Sequence, residues 1–137
     1  MRIPMAVLAD EANVSQEGKL NLMGIFDRIA AAEFPVVYPK IVFAFRVEAE
    51  YGDSGRTFPV RVSMENEDGA ALFHAEGEIL APGVPPGEFS TANQIFALVG
   101  VQFPAPGVYR FTVRVGESAR AEAPLLVQHS AHDSSLN

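Results

Sequence analysis

The sequence predicts an all-β chain, a single antiparallel β-sandwich of about eight strands, immunoglobulin-like or jelly-roll-like. Three observations carry this. From Phe103 to Val127 a Pro/Gly turn launches a strand in which Tyr109, Phe111, Val113 and Val115 share one face and Arg110, Thr112 and Arg114 the other. That two-residue period belongs to a sheet with one dry face and one wet face. Ile41 to Tyr51 repeats the pattern. Turn signals recur every 10–15 residues or so without strand–helix alternation, which excludes parallel α/β folds and fits a sandwich or barrel.

Taken in order, Met5 to Ala12 is a compact apolar first strand ending at Asp10-Glu11. Ser15-Gln16-Glu17-Gly18 is a turn, and Leu20 to Ile29 a second strand. Gly24 inside it suggests a bulge or the close approach of another backbone. The three alanines of Asp27 to Glu33 favour one helical turn, and Phe34-Pro35 stops anything longer. Pro35 and Pro39 mark an extended crossing between sheets.

In the next strand Ile41, Phe43, Phe45, Val47, Ala49 and Tyr51 face inward, with Arg46, Glu48 and Glu50 outward. Gly52 to Gly55 turns the chain. Arg56 to Asn66 then points Phe58, Val60, Val62 and Met64 inward. Asp68-Gly69 closes the next hairpin, where glycine accepts the positive φ the turn requires. Ala71 to Ile79 follows, with Phe73, Ala75 and Ile79 opposite His74, Glu76 and Glu78.

Ala81 to Thr91 (APGVPPGEFST) is a loop or a sheet-to-sheet crossover. Ala92 to Phe103 is apolar on both faces, as a central strand covered twice is expected to be. Gly116-Glu117 forms the last hairpin turn. The domain is therefore 1–127, with Gln128 to Asn137 as a polar, solvated tail.

A net charge of −7 over 137 residues and scattered basic residues disfavour nucleic acid and anionic membrane surfaces. The chain contains no cysteine, so disulfides, thiolate catalysis and thiol metal sites are excluded. Met5 to Ala9 is too short for a signal-peptide core, and no window reaches the roughly 18 apolar residues of a membrane span. The expected location is cytoplasmic.

One constellation points to chemistry. Period two places His74, Glu76 and Glu78 side by side, and an imidazole with carboxylates at that spacing can share a metal in the mouth of a barrel. A polar outer strand face is the plainer reading. A metal site usually draws a ligand from a second strand, and only His129 and His132, both in the expected tail, remain. Asp10 and Asp27-Arg28 lie where two paired strands can bring their charges together, as a structural ion pair or turn hydrogen bond in the plainer reading and as a catalytic dyad in the functional one. Arg110 and Arg114 face Arg120 and Glu122 across the last hairpin, as a solvated ladder or a protein-contact face. No nucleophile elbow and no phosphate-cradling glycine loop is present, so no catalytic set and no cofactor are expected.

Leu8 to Ile29, Phe34 to Pro39 and Phe103 to Val115 with Pro124-Leu125 carry a resemblance. Its marks are Ala9-Asp10, Gly18 to Asn21, Gly24, Asp27-Arg28 and the Pro-Gly-x-Tyr-x-Phe segment Pro106 to Phe111. The chain resembles a family of uncharacterised bacterial proteins catalogued as a domain of unknown function. The resemblance implies a compact β-sandwich with no assigned activity and no catalytic residues. The functional expectation is a non-enzymatic module that binds a protein partner or itself. The alternative is a small-molecule or metal-binding barrel using His74, Glu76 and Glu78.

Overall fold

The computed structural model describes residues 1–130. Among them the chain is all-β: nine strands in two sheets, neither closed into a barrel. The strands are β1 (Arg2–Val14), β2 (Leu20–Phe26), β3 (Arg28–Ala31), β4 (Val36–Glu50), β5 (Thr57–Glu65), β6 (Ala71–Leu80), β7 (Phe89–Phe103), β8 (Gly107–Val115) and β9 (Ala119–His129). The first sheet is ordered β2-β1-β4-β7 and the second β3-β9-β8-β5-β6. Their inward rows meet in one apolar core, in which the Phe43 and Phe111 rings lie 5.9 Å apart across the layers. The alternation expected for β4, β5 and β8 puts Ile41, Phe43, Phe45, Val60, Val62, Met64, Phe111 and Val113 into that core.

Several expectations are corrected. Residues Asp27 to Glu33 form no helical turn: Arg28–Ala31 is β3, paired parallel with Leu126–His129. The Leu126 N–H also bonds the Asp27 carbonyl at 2.8 Å. Alanine propensity yields here to an otherwise unpaired strand flank on β9. The sheets are consequently not purely antiparallel. β1 is longer than Met5 to Ala12, and Pro39 lies inside β4 rather than in a crossing. Tyr51 is exposed in a short 3₁₀ turn instead of ending the inward row. Gln128 and His129 belong to β9 rather than to a tail, and the Ser130 N–H bonds the Ala31 carbonyl at 3.0 Å; residues 131–137 of the expected tail, His132 included, lie outside the described residues.

The β1–β2 hairpin folds back over the outer face of the first sheet. Asn93 on β7 donates from Nδ2 to the carbonyl of Gly18 at the hairpin tip, at 3.1 Å. The same Asn93 accepts from Arg46 Nε at 3.1 Å. Since β7 stands two strands away from β1, the tip reaches it only across β4. This accounts for the burial of Ala9, Val42 and Ala44 outside the main core. Gly24, at φ +72°, lies within β2 beside Asp10 of β1: a Cβ there would lie 2.4 Å from Asp10 Oδ2. The close approach expected at Gly24 is made by a side chain.

Residues 81–88 cross from the second sheet to the first, as their Pro/Gly content implies. Ala81 and Val84 are buried against Ala49. The Ser54 hydroxyl donates to the Val84 carbonyl at 3.2 Å and accepts the Val84 N–H at 2.8 Å.

Candidate interaction surface

His74, Glu76 and Glu78 share the outward face of β6, an edge strand, and all three are exposed. They lie opposite Ser63, Arg61 and Pro59 of β5. Glu76 is engaged by Arg61, whose NH1 donates to Oε1 at 2.9 Å. Among the described residues no group of three or more His, Cys, Asp or Glu side chains is arranged to hold a metal ion. The spacing puts the three on one face but leaves that face flat and open to water. His129 instead stacks its ring 6.1 Å from Phe34.

The other charged residues form surface pairs. Arg110 Nε and Arg120 NH2 approach the two oxygens of Glu122 at 3.6 and 3.4 Å, and Arg114 stands directly opposite Arg120. The cross-strand charge pairing expected there is present between Arg110 and Glu122, at under about 1 kcal/mol for an exposed pair. Arg28 Nε lies 3.5 Å from its neighbour Asp27, both exposed, while Asp10 packs over Gly24 rather than joining them. The best-held carboxylate, which the spacing of charges does not reveal, is Asp53. It accepts the Glu50 N–H at 2.9 Å and lies 3.0 Å from the Met1 amino group. The Glu50 amide above all, with the amino group and Arg56 adding to it, holds its pKa below 3.8 against the opposing cost of burial.

The feature that stands apart is β7. Its apolar sequence on both faces predicts a central strand; the structure makes it an edge, bonded to β4 alone. One face packs on the core through Phe96 and Leu98, and the other is partly covered by the hairpin, which explains the two-sided apolarity. The outer edge of its 15 residues has no strand beside it among the described residues. Edges are normally blunted by short length, charge, proline or bulges. The other three comply: β3 has four residues, β2 has seven, and β6 carries Glu76 and Glu78. β7 contains no Asp, Glu, Lys, Arg, His or Pro; it is interrupted at the left-handed Gly100, and Val99 and Phe89 on it are 80% and 67% exposed.

Between β7 and the β6 edge runs a groove of about 400 Å³. Met64, Leu72 and Phe73 line one side and Ala97 to Gln102 the other. An unpaired ladder beside an apolar groove is the arrangement to which an extended segment adds as a further strand. The missed signal was in the sequence: a charge-free run this long in a chain of net charge −7 is the exception to be explained.

The profile of a family of unknown function (DUF6941) matches residues 4–128, and the chain belongs to that family. No curated protein sequence matches it significantly. Among solved structures, a beta-glucuronidase from glycoside hydrolase family 2 overlaps 67% of this chain at 16% identity, with a TM-score of 0.43. The overlap spans 11% of that enzyme, and a likeness of this degree carries no argument about activity.

Proposed function

We propose that the chain is an immunoglobulin-like β-sandwich acting as a non-enzymatic protein-interaction module, with the β7 edge as its binding element. The observation that carries this is the conflict at β7, whose composition suits a strand flanked on both sides and whose position leaves one side open. Three features support the immunoglobulin-like assignment. The sheets divide as β1-β4-β7 and β9-β8-β5-β6 around one core. An early strand, β3, runs parallel to the last. Tyr109 near the start of β8 bonds back to the Ala105 carbonyl in the manner of a tyrosine corner.

The test is affinity capture from the native host with wild-type chain and Val99→Lys as bait. A charge on an exposed edge position blocks strand addition without touching the core. The expected result is a protein retained by the wild type and lost with the variant, whose melting temperature is unchanged. Identical retained sets, or nothing retained by a strictly monomeric wild type, would sink the reading.

A further inference from the structure

We infer that the strand added to β7 is β7 of a second copy, in an antiparallel pair about a two-fold axis at Ala97. The inference rests on the interaction reading above and names its occupant.

Complementarity in sequence is the first argument. Ile95-Phe96-Ala97-Leu98-Val99 reads alike in both directions: large, large, small, large, large. Antiparallel pairing centred on Ala97 sets Ile95 against Val99 of the second copy and Phe96 against Leu98, each pair occurring twice. A closed two-fold interface requires this self-matching of one patch. Continued outward, the same register brings Asn93 opposite Val101 and Thr91 opposite Phe103, past the left-handed Gly100 at which the inward row shifts from Phe96 and Leu98 to Val101 and Phe103, and no charge faces another along it.

Electrostatics is the second. A partner strand bearing a charge would leave it beside a wholly neutral ladder, whereas a second β7 brings none. The −7 charge of each copy lies elsewhere, so repulsion opposes association only over longer range, where salt screens it.

Geometry and size are the third. In this register Phe96 and Leu98 of the second copy lie on the core side, over the groove that Leu72 and Phe73 border. The paired span, residues 91–103, is roughly 43 Å long. With side chains to a depth of about 10 Å, two such edges bury about 900 Å² together, the size of a transient rather than a permanent interface. The expected product is a weak, reversible dimer with a continuous eight-stranded sheet.

The experiment is sedimentation velocity on the full chain up to roughly 0.1 mM, above the micromolar affinity expected of an interface this small, with Ala97→Lys, Ala97→Glu and Leu80→Lys. Ala97 is exposed, so the first two variants fold, which circular dichroism verifies. Wild type and Leu80→Lys are expected to dimerise, each Ala97 variant alone to weaken dimerisation at least tenfold, and an equimolar Lys and Glu mixture to restore it. Restoration by mixing occurs only if position 97 faces itself. Wild-type dimerisation tightens with added salt. A monomeric wild type, or a dimer indifferent to both Ala97 variants, overturns self-pairing. The Val99→Lys capture then decides separately whether β7 binds a different protein.

Discussion

The Tyr109 hydroxyl donates to the carbonyl of Ala105 at 2.5 Å and accepts the Ala105 N–H at 3.4 Å, tying β8 to the loop that precedes it. The ring is buried, edge-on to Phe103 at 5.0 Å. One side chain thus fixes both ends of the turn from β7 into β8. Tyr109→Phe keeps the ring and removes the bonds, leaving a carbonyl short of its donor. The expected loss is about 1–2 kcal/mol, read as a lower urea midpoint with unchanged slope.

At Gly24 two penalties coincide. The left-handed backbone costs an L side chain about 1–2 kcal/mol, and the new Cβ collides with Asp10. Gly24→Ala should therefore destabilise the chain by about 2 kcal/mol. Only the collision is relieved by removing the carboxylate, so the same change made in an Asp10→Ala background should cost about half as much. Equal costs in both backgrounds would show that the approach of Asp10 contributes nothing.

Thr112 is buried on the outer face of the second sheet, opposite Ser63 and Glu122, and its hydroxyl has no hydrogen-bond partner. A desolvated, unpaired hydroxyl is a net cost. Thr112→Val keeps the branched shape and is expected to raise stability by up to about 1 kcal/mol, visible as a melting temperature a few degrees higher.

Asp53 supplies a pH dependence whose sign follows from its lowered pKa. A carboxylate bound more tightly to its proton in the unfolded than in the folded chain stabilises the fold above its ordinary value. That contribution disappears as pH falls through the folded value. Asp53→Asn should cost about 1–2 kcal/mol at pH 7, where the charged acceptor is lost. The difference from wild type should narrow as pH drops below 3.8. A gap that stays constant from pH 7 to pH 2.5 would contradict the assignment.

How much of this was legible beforehand depends on what each residue answers to. Ile41 to Ala49 and Tyr109 to Val115 answer mainly to burial, which period two records directly, so their strands and inward rows could be read from the chain. Arg28 to Ala31 answers to β9, nearly a hundred residues later, and local alanine propensity pointed the wrong way. Phe89 to Phe103 showed its apolarity plainly, but strand order is not a local property, and a central position was the natural inference. His74, Glu76 and Glu78 do share a face; the period could not tell that the face is flat.

The switch of the chain between layers at Asp27 has a mechanical consequence. On that side the backbone crosses twice between the two sheets, from β2 to β3 at Asp27 and from β3 to β4 through residues 32–35. Between β6 and β7 the only covalent tie is the eight-residue crossover at one end. The chain passes between the layers at four places besides Asp27, and the two connections that flank β7, residues 81–88 and 104–106, tie its ends, so that among the described residues no backbone spans the margin beside Leu98 and Leu72.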